Sequence, residues 1–144
     1  MAFTIPKQIR RRYYAVVLRI LRGPLERYSQ QTWCGTTECI AGSAVISAGW
    51  RPDPEGLDQV IKNGVRRVVP EVALEALDLP RLDDLYGHWL FSSSPEGDWP
   101  LPYRSDWADC YRIDERRERQ RQIAVRLLLD IADGKVDRTK PVTE

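Results

Sequence analysis

A single histidine, His88, serves the whole 144-residue chain, so an H-E-x-x-H zinc site is excluded and any step that needs an imidazole base must use that one residue. A phosphate loop and a dinucleotide fingerprint are also missing. No apolar run approaches the roughly 18 residues of a membrane span, and the opening MAFTIPKQIRRR turns basic at Lys7, unlike a signal segment. Charge of one sign is lacking too. Lysine and arginine number 22 against 21 acids, a net charge of +1 that announces neither a nucleic-acid nor a membrane partner. Three cysteines are an odd count, and with no signal segment they indicate a reduced, cytoplasmic setting. The length suits one domain that buries a core without disulfides.

Against these absences one stretch stands out. Trp33 to Trp50, WCGTTECIAGSAVISAGW, holds Cys34 and Cys39 and has no charged side chain from Cys39 onward. Thr36 or Thr37 is suited to cap a helix N-terminus, and Gly49 to close the helix in the left-handed conformation. The predicted helix spans about 37–48. Its side chains are apolar or small on every side, so it is expected to be central and buried all round. Gly42 costs about 1 kcal/mol relative to alanine in a helix, which makes sense where another element packs close to the backbone. In the first turn, Cys39 would feel the positive end of the helix, which favours the thiolate, while burial and the adjacent Glu38 oppose it. Free cysteine is commonly buried, and a structural Cys39 is the favoured reading.

Before this stretch, Ile9, Tyr13, Val16, Val17, Ile20 and Leu21 recur at helical spacing and predict an amphipathic helix ending at Gly23-Pro24. Arg10, Arg11 and Arg12 lie mostly off the apolar stripe; they read as a solvated face, with phosphate binding as the lesser alternative. If the starts of the first and last helices lay together, these arginines and Arg116, Arg117, Arg119 and Arg121 would form one basic patch. After Trp50, RPDPEG reads as a surface loop. Leu57 to Lys62 is expected as a helical turn or two closed by Asn63-Gly64, with a strand at Val65–Val69 as the alternative. Pro70 should start a helix through Leu77, and Pro80 a short one over Arg81–Tyr86.

The second unusual region, about 87–111, carries Trp89, Trp99, Trp107, His88 and Cys110. Aromatic density this high predicts an irregular loop pinned over the core by its own side chains. A last helix follows Asp114 and ends at Gly134. Residues 1–136 are expected to form a single helical domain, with 137–144 a loose tail.

The motif Thr32-Trp33-Cys34-Gly35-Thr36-Thr37-Glu38-Cys39-Ile40-Ala41-Gly42-Ser43-Ala44 resembles the W-x-C-G-T-x-x-C-x-A-G-x-A pattern of a group of small phage and bacterial proteins of unassigned function, with one residue fewer between Trp and Cys. Leu90-Phe91 followed by Trp99-Pro100 matches a second shared feature. The resemblance implies a related fold and a phage link. A fainter likeness is to the nucleophile region of papain-like cysteine peptidases, carried by Gln30 or Gln31, Cys34-Gly35, Cys39 and Ala41, although here four residues separate the cysteines instead of two. That likeness implies Cys39 as nucleophile, Gln31 or its neighbour at an oxyanion, and His88 as base. A zinc site would need Cys34, Cys39, His88 and Cys110 together, which matches no standard spacing, so neither metal nor cofactor is expected.

The sequence therefore predicts a mainly α, compact single domain with little or no β structure. The favoured function is non-enzymatic: a small binding or regulatory protein acting on another protein, with Trp33, Cys34, Trp89, Trp99, Trp107, Arg10, Arg11 and Arg12 as binding candidates. Nucleic acid is the less favoured partner, and a membrane is not expected. The alternative is a cysteine-dependent hydrolase or transferase using Cys39 and His88.

Overall fold

The structure is a computed structural model that describes residues 3–30, 38–56, 58–82 and 87–142. It is mainly α-helical. Helix α1 (Lys7–Arg22) buries Tyr13, Val16, Val17 and Ile20, one stripe at helical spacing, and stops at Gly23. It lies antiparallel to the last long helix, α6 (Arg116–Ala132). At one end Arg10 Nε donates to the Ala132 carbonyl (3.0 Å); at the other Arg121 reaches the Gly23 carbonyl (3.4 Å). Both links cap the C-terminal end of a helix with a guanidinium, which also suits the helix dipole.

Helix α2 (Ile40–Ser47) packs between α1 and α3 (Val69–Ala76), and Ile40 to Val45 are all buried. Its N-cap is Cys39, whose Sγ accepts the Gly42 N–H at 3.4 Å. This places the helix start later than the threonine caps would; Thr36 and Thr37 lie outside the described residues. Gly49, at φ +92°, follows the C-terminal end.

The segment from Arg51 to Lys62 departs from the expected loop and helical turns, whereas Val65–Val68 takes up the strand given as the alternative. Strands β1 (Arg51–Pro52), β2 (Gln59–Lys62) and β3 (Val65–Val68) form a small antiparallel sheet in the order β1-β2-β3. The helical turns expected up to Lys62 are strand instead, because Asn63 (φ +52°) and Gly64 (φ +78°) make the two-residue left-handed turn that joins hairpin strands. The two arginines of β3, side by side in sequence, point to opposite partners: Arg66 pairs with Asp53 and Glu55, and Arg67 with Glu71 and Glu75 of α3. In β3 it is charge pairing that accommodates the adjacent arginines.

The Trp-rich segment is not irregular throughout. It contains a 3-10 turn (Trp89–Phe91), α4 (Pro95–Asp98), α5 (Tyr103–Asp109) and a second 3-10 turn (Cys110–Arg112). Trp99 and Trp107 meet edge to face inside the core, with ring centroids 5.1 Å apart. The helix expected over Arg81–Tyr86 is not formed at Arg81 and Leu82, and residues 83–86 lie outside the described residues.

The tail also differs from the expectation of a loose end at 137. Arg138 is buried, pairs with Asp78 (2.9 Å) and reaches the Thr4 carbonyl (3.4 Å), while Val142 packs on the core. Ionic and backbone bonding holds this stretch, and neither leaves a periodic apolar signature in sequence. No described helix is long and apolar enough to cross a membrane.

Gly42 is buried within α2, a helix that packs against both α1 and α3. Gly42→Leu is expected to destabilise the domain by about 1–3 kcal/mol or more through overpacking. An unchanged melting temperature would show that this face of α2 has room to spare.

Candidate functional site

The two sequence motifs meet through Gln30. Its buried carboxamide donates from Nε2 to the carbonyls of Leu90 and Ser92 (both 3.0 Å), and its Oε1 accepts from the Ile40 N–H (3.2 Å) and the Tyr28 hydroxyl (3.3 Å). Two donors and two acceptor sites are all used. Gln30 thus fixes the start of α2 to the turn that carries Trp89 and Phe91. Nearby, Glu38 receives both arms of the Arg19 guanidinium at 2.7 Å and the Ser43 hydroxyl at 3.3 Å. Backbone bonds from Ser29 N to the Glu38 carbonyl (3.0 Å) and from Glu38 N to the Arg27 carbonyl (2.6 Å) tie together the residues that flank 31–37. Gln31, Trp33 and Cys34 themselves lie outside the described residues.

Cys39 is buried, and burial pushes its thiol pKa up; the Gly42 N–H at its sulfur pulls the other way without reversing the shift. The position is near a helix N-terminus, as the sequence suggests, but desolvation outweighs the dipole. His88 is buried as well. The Leu90 N–H donates to Nδ1 (3.0 Å), so Nδ1 is the bare nitrogen and the proton sits on Nε2, which donates to the Arg138 carbonyl (2.8 Å). Both ring nitrogens are therefore engaged in holding the 3-10 turn and the tail. Both ring nitrogens of His88 bond to backbone groups, and the Cys39 sulfur accepts from the Gly42 N–H, so neither residue's hydrogen bond is to the other.

Beside this turn lies an open cleft of about 640 Å³. Its apolar wall includes Leu82, Trp89, Phe91, Pro141 and Val142, and Ser92, Ser93, Asp98 and Arg104 add polar groups. Trp89 is buried, its indole N–H donating to the Lys140 carbonyl (3.0 Å), so it builds the cleft wall more than it offers a free face. Arg104 is half-buried at the start of α5, and its guanidinium makes no ion pair or hydrogen bond among the described residues.

No protein-family model matches the chain, no curated protein matches it, and no solved structure matches it.

Several sequence candidates have other work. Trp99 and Trp107 lie within the core and do not line the cleft; large apolar rings were favoured there over surface exposure. Arg10 caps α6, and Arg12 approaches the carbonyls of Glu75 and Ala76 at the end of α3 (3.4 Å each). Arg11 is exposed. The two arginine clusters do not form one patch: because α1 and α6 are antiparallel, their starts are separated by about 24 Å, the length of a 16-residue helix. Gln30 was singled out in sequence only as an oxyanion candidate, whereas its carboxamide is fully bonded inside the protein; Arg104 and Arg138 were not distinguishable, since a lone polar residue shows its partners only after folding.

Two predictions follow from these environments. Iodoacetamide at neutral pH is expected to leave Cys39 unmodified in the folded protein and to label it after denaturation. Rapid labelling that His88→Ala abolishes would instead establish a working thiol–imidazole pair.

Burial lowers the His88 pKa from 6.5 to about 4, against the opposing pull of the Arg138 carbonyl. The unfolded chain therefore takes up this proton first as the pH falls. The stability conferred by neutral His88 is intact above about pH 6.5 and is lost progressively down to about pH 4, in total about 3 kcal/mol. Between pH 7 and pH 5, urea unfolding is expected to show a loss about 2 kcal/mol greater for the native chain than for His88→Gln, which has no imidazole. Equal losses in the two proteins would contradict the assignment.

Proposed function

We propose that the protein is a non-enzymatic binding protein that acts through protein–protein contacts, with the cleft beside Trp89 as the receiving surface. The observation that carries this reading is the composition of the cleft: an apolar wall of Leu82, Phe91, Pro141 and Val142 beside Arg104, a half-buried cation with no partner among the described residues. An apolar wall with a few convergent polar groups is the usual form of a recognition site. The occupant that matches it is an extended segment of another protein in which an apolar side chain lies next to a carboxylate. The apolar group would cover the wall, and the carboxylate would give Arg104 the charge-assisted hydrogen bonds it lacks. The link to phage biology rests on the resemblance of the cysteine motif alone.

Selection of peptides from a random displayed library against the full chain tests this. Enriched peptides are expected to share an apolar residue beside Asp or Glu, and to lose at least tenfold in affinity on Arg104→Glu and on Val142→Asp, with the fold intact by circular dichroism. Enriched peptides that bind both variants as well as the native chain, or a selection that enriches nothing, would overturn the reading.

A further inference from the structure

Helix α1 has a second, outward face that is separate from the cleft: none of the residues lining the cleft belongs to α1. On that face Tyr14, Leu18 and Leu21 are 37%, 45% and 49% exposed. Lys7 and Arg11 continue the same line toward the N-terminus. The five positions, 7, 11, 14, 18 and 21, alternate in steps of four and three, the spacing of a coiled-coil seam. The inner stripe of the helix is occupied by the core, so the seam is additional to the face that folds the domain.

Charge says what can cover it. Helix α1 reads KQIRRRYYAVVLRILR, with six cations and no acid, in a chain whose net charge is only +1. Arg10 and Arg12 face helix C-terminal carbonyls and Arg19 is paired with Glu38. Lys7, Arg11 and Arg22 are exposed and make no ion pair among the described residues. Two carboxylates at or beside α6 are already engaged, Asp133 by the Tyr14 hydroxyl (3.0 Å) and Glu118 by Arg121 (2.7 Å). The Asp133 bond also holds the Tyr14 ring in place, which lowers the ordering cost of docking.

We infer that this seam docks an amphipathic helix of another protein that carries Asp or Glu opposite Lys7 and Arg11 and leucine-like side chains opposite Tyr14, Leu18 and Leu21. A second copy of the chain is disfavoured by the same charges. Parallel pairing would stack Lys7 on Lys7 and Arg11 on Arg11, and antiparallel pairing would press them against Leu21 and Leu18 with no carboxylate to answer them. An anionic membrane is less well matched, because the apolar part of the face is one residue wide where a membrane-lying helix needs a broad apolar side.

The test uses the full chain and two synthetic helical peptides of about three heptads. Both carry Leu along the seam with Glu at the seam positions of one end, the N-terminal end in one peptide and the C-terminal end in the other, so that parallel and antiparallel docking are both covered. Fluorescence anisotropy is expected to show binding of one of them, weakened at least tenfold by Leu18→Asp and by Arg11→Glu. A peptide with Lys in place of Glu is expected to restore binding to Arg11→Glu. Arg104→Glu, a cleft substitution, should leave this binding unchanged, which keeps the two sites distinguishable. Failure of both peptides to bind, binding indifferent to Leu18→Asp or Arg11→Glu, a concentration-dependent dimer abolished by Leu18→Asp, or attachment only to phosphatidylserine-containing vesicles would each overturn the inference.

Discussion

The Gln30 carboxamide carries two N–H donors and an oxygen with two acceptor sites, and it uses all of them inside the protein. A buried amide left without partners costs several kcal/mol, so this group is stabilising only while the start of α2, Tyr28 and the turn at Leu90–Ser92 all stay in place. That makes it a coupling point between elements that are 60 residues apart in sequence. Because Phe91 and Ser92 belong both to the turn and to the cleft, the shape of the cleft is referred back to a polar group in the core.

The other buried polar groups follow the same logic. Helices α1, α2 and α6 meet through apolar side chains, which attract without specifying orientation. Where non-helical chain crosses the core, a charge or amide fixes the position instead: Arg19 with Glu38 at the entry to α2, Arg138 with Asp78 where the tail crosses the end of α3, and His88 between the turn and the tail. Removing Arg19 leaves Glu38, and removing Asp78 leaves Arg138, buried and unanswered, a larger loss than the pair's own net contribution. The interior is therefore apolar where helices pack and polar where loops must be located.

Helical elements were the most legible part of the sequence, because amphipathic periodicity is written locally. The stripe through Tyr13, Val16, Val17 and Ile20, Pro70 at the start of α3, and Gly134 after α6 each report their own element. The second strand of the hairpin was legible as an alternative from its valines, while Gln59–Lys62, across the Asn63-Gly64 turn, is too short for its alternation to outweigh a helical reading. The Trp-rich segment hid α4 and α5 because helices this short have little periodicity. At the candidate site, the bond from His88 Nε2 depends on a group 50 residues away, the Arg138 carbonyl. The tail was illegible for the same reason.

The antiparallel pairing of α1 with α6 has a consequence for the order in which the protein can be made. Arg10 and Ala132 are 122 residues apart, and Trp89 finds its Lys140 acceptor 51 residues later. During synthesis the apolar stripe of α1 leaves the ribosome with its final partner still untranslated, and it must remain soluble or be held until nearly the whole domain has emerged. Folding is thus a late event for the nascent chain, and the long loop closures it requires slow the search relative to a bundle built from sequential neighbours. The dense positive charge of α1 has a use at that stage, since it keeps an amphipathic segment hydrated while it waits.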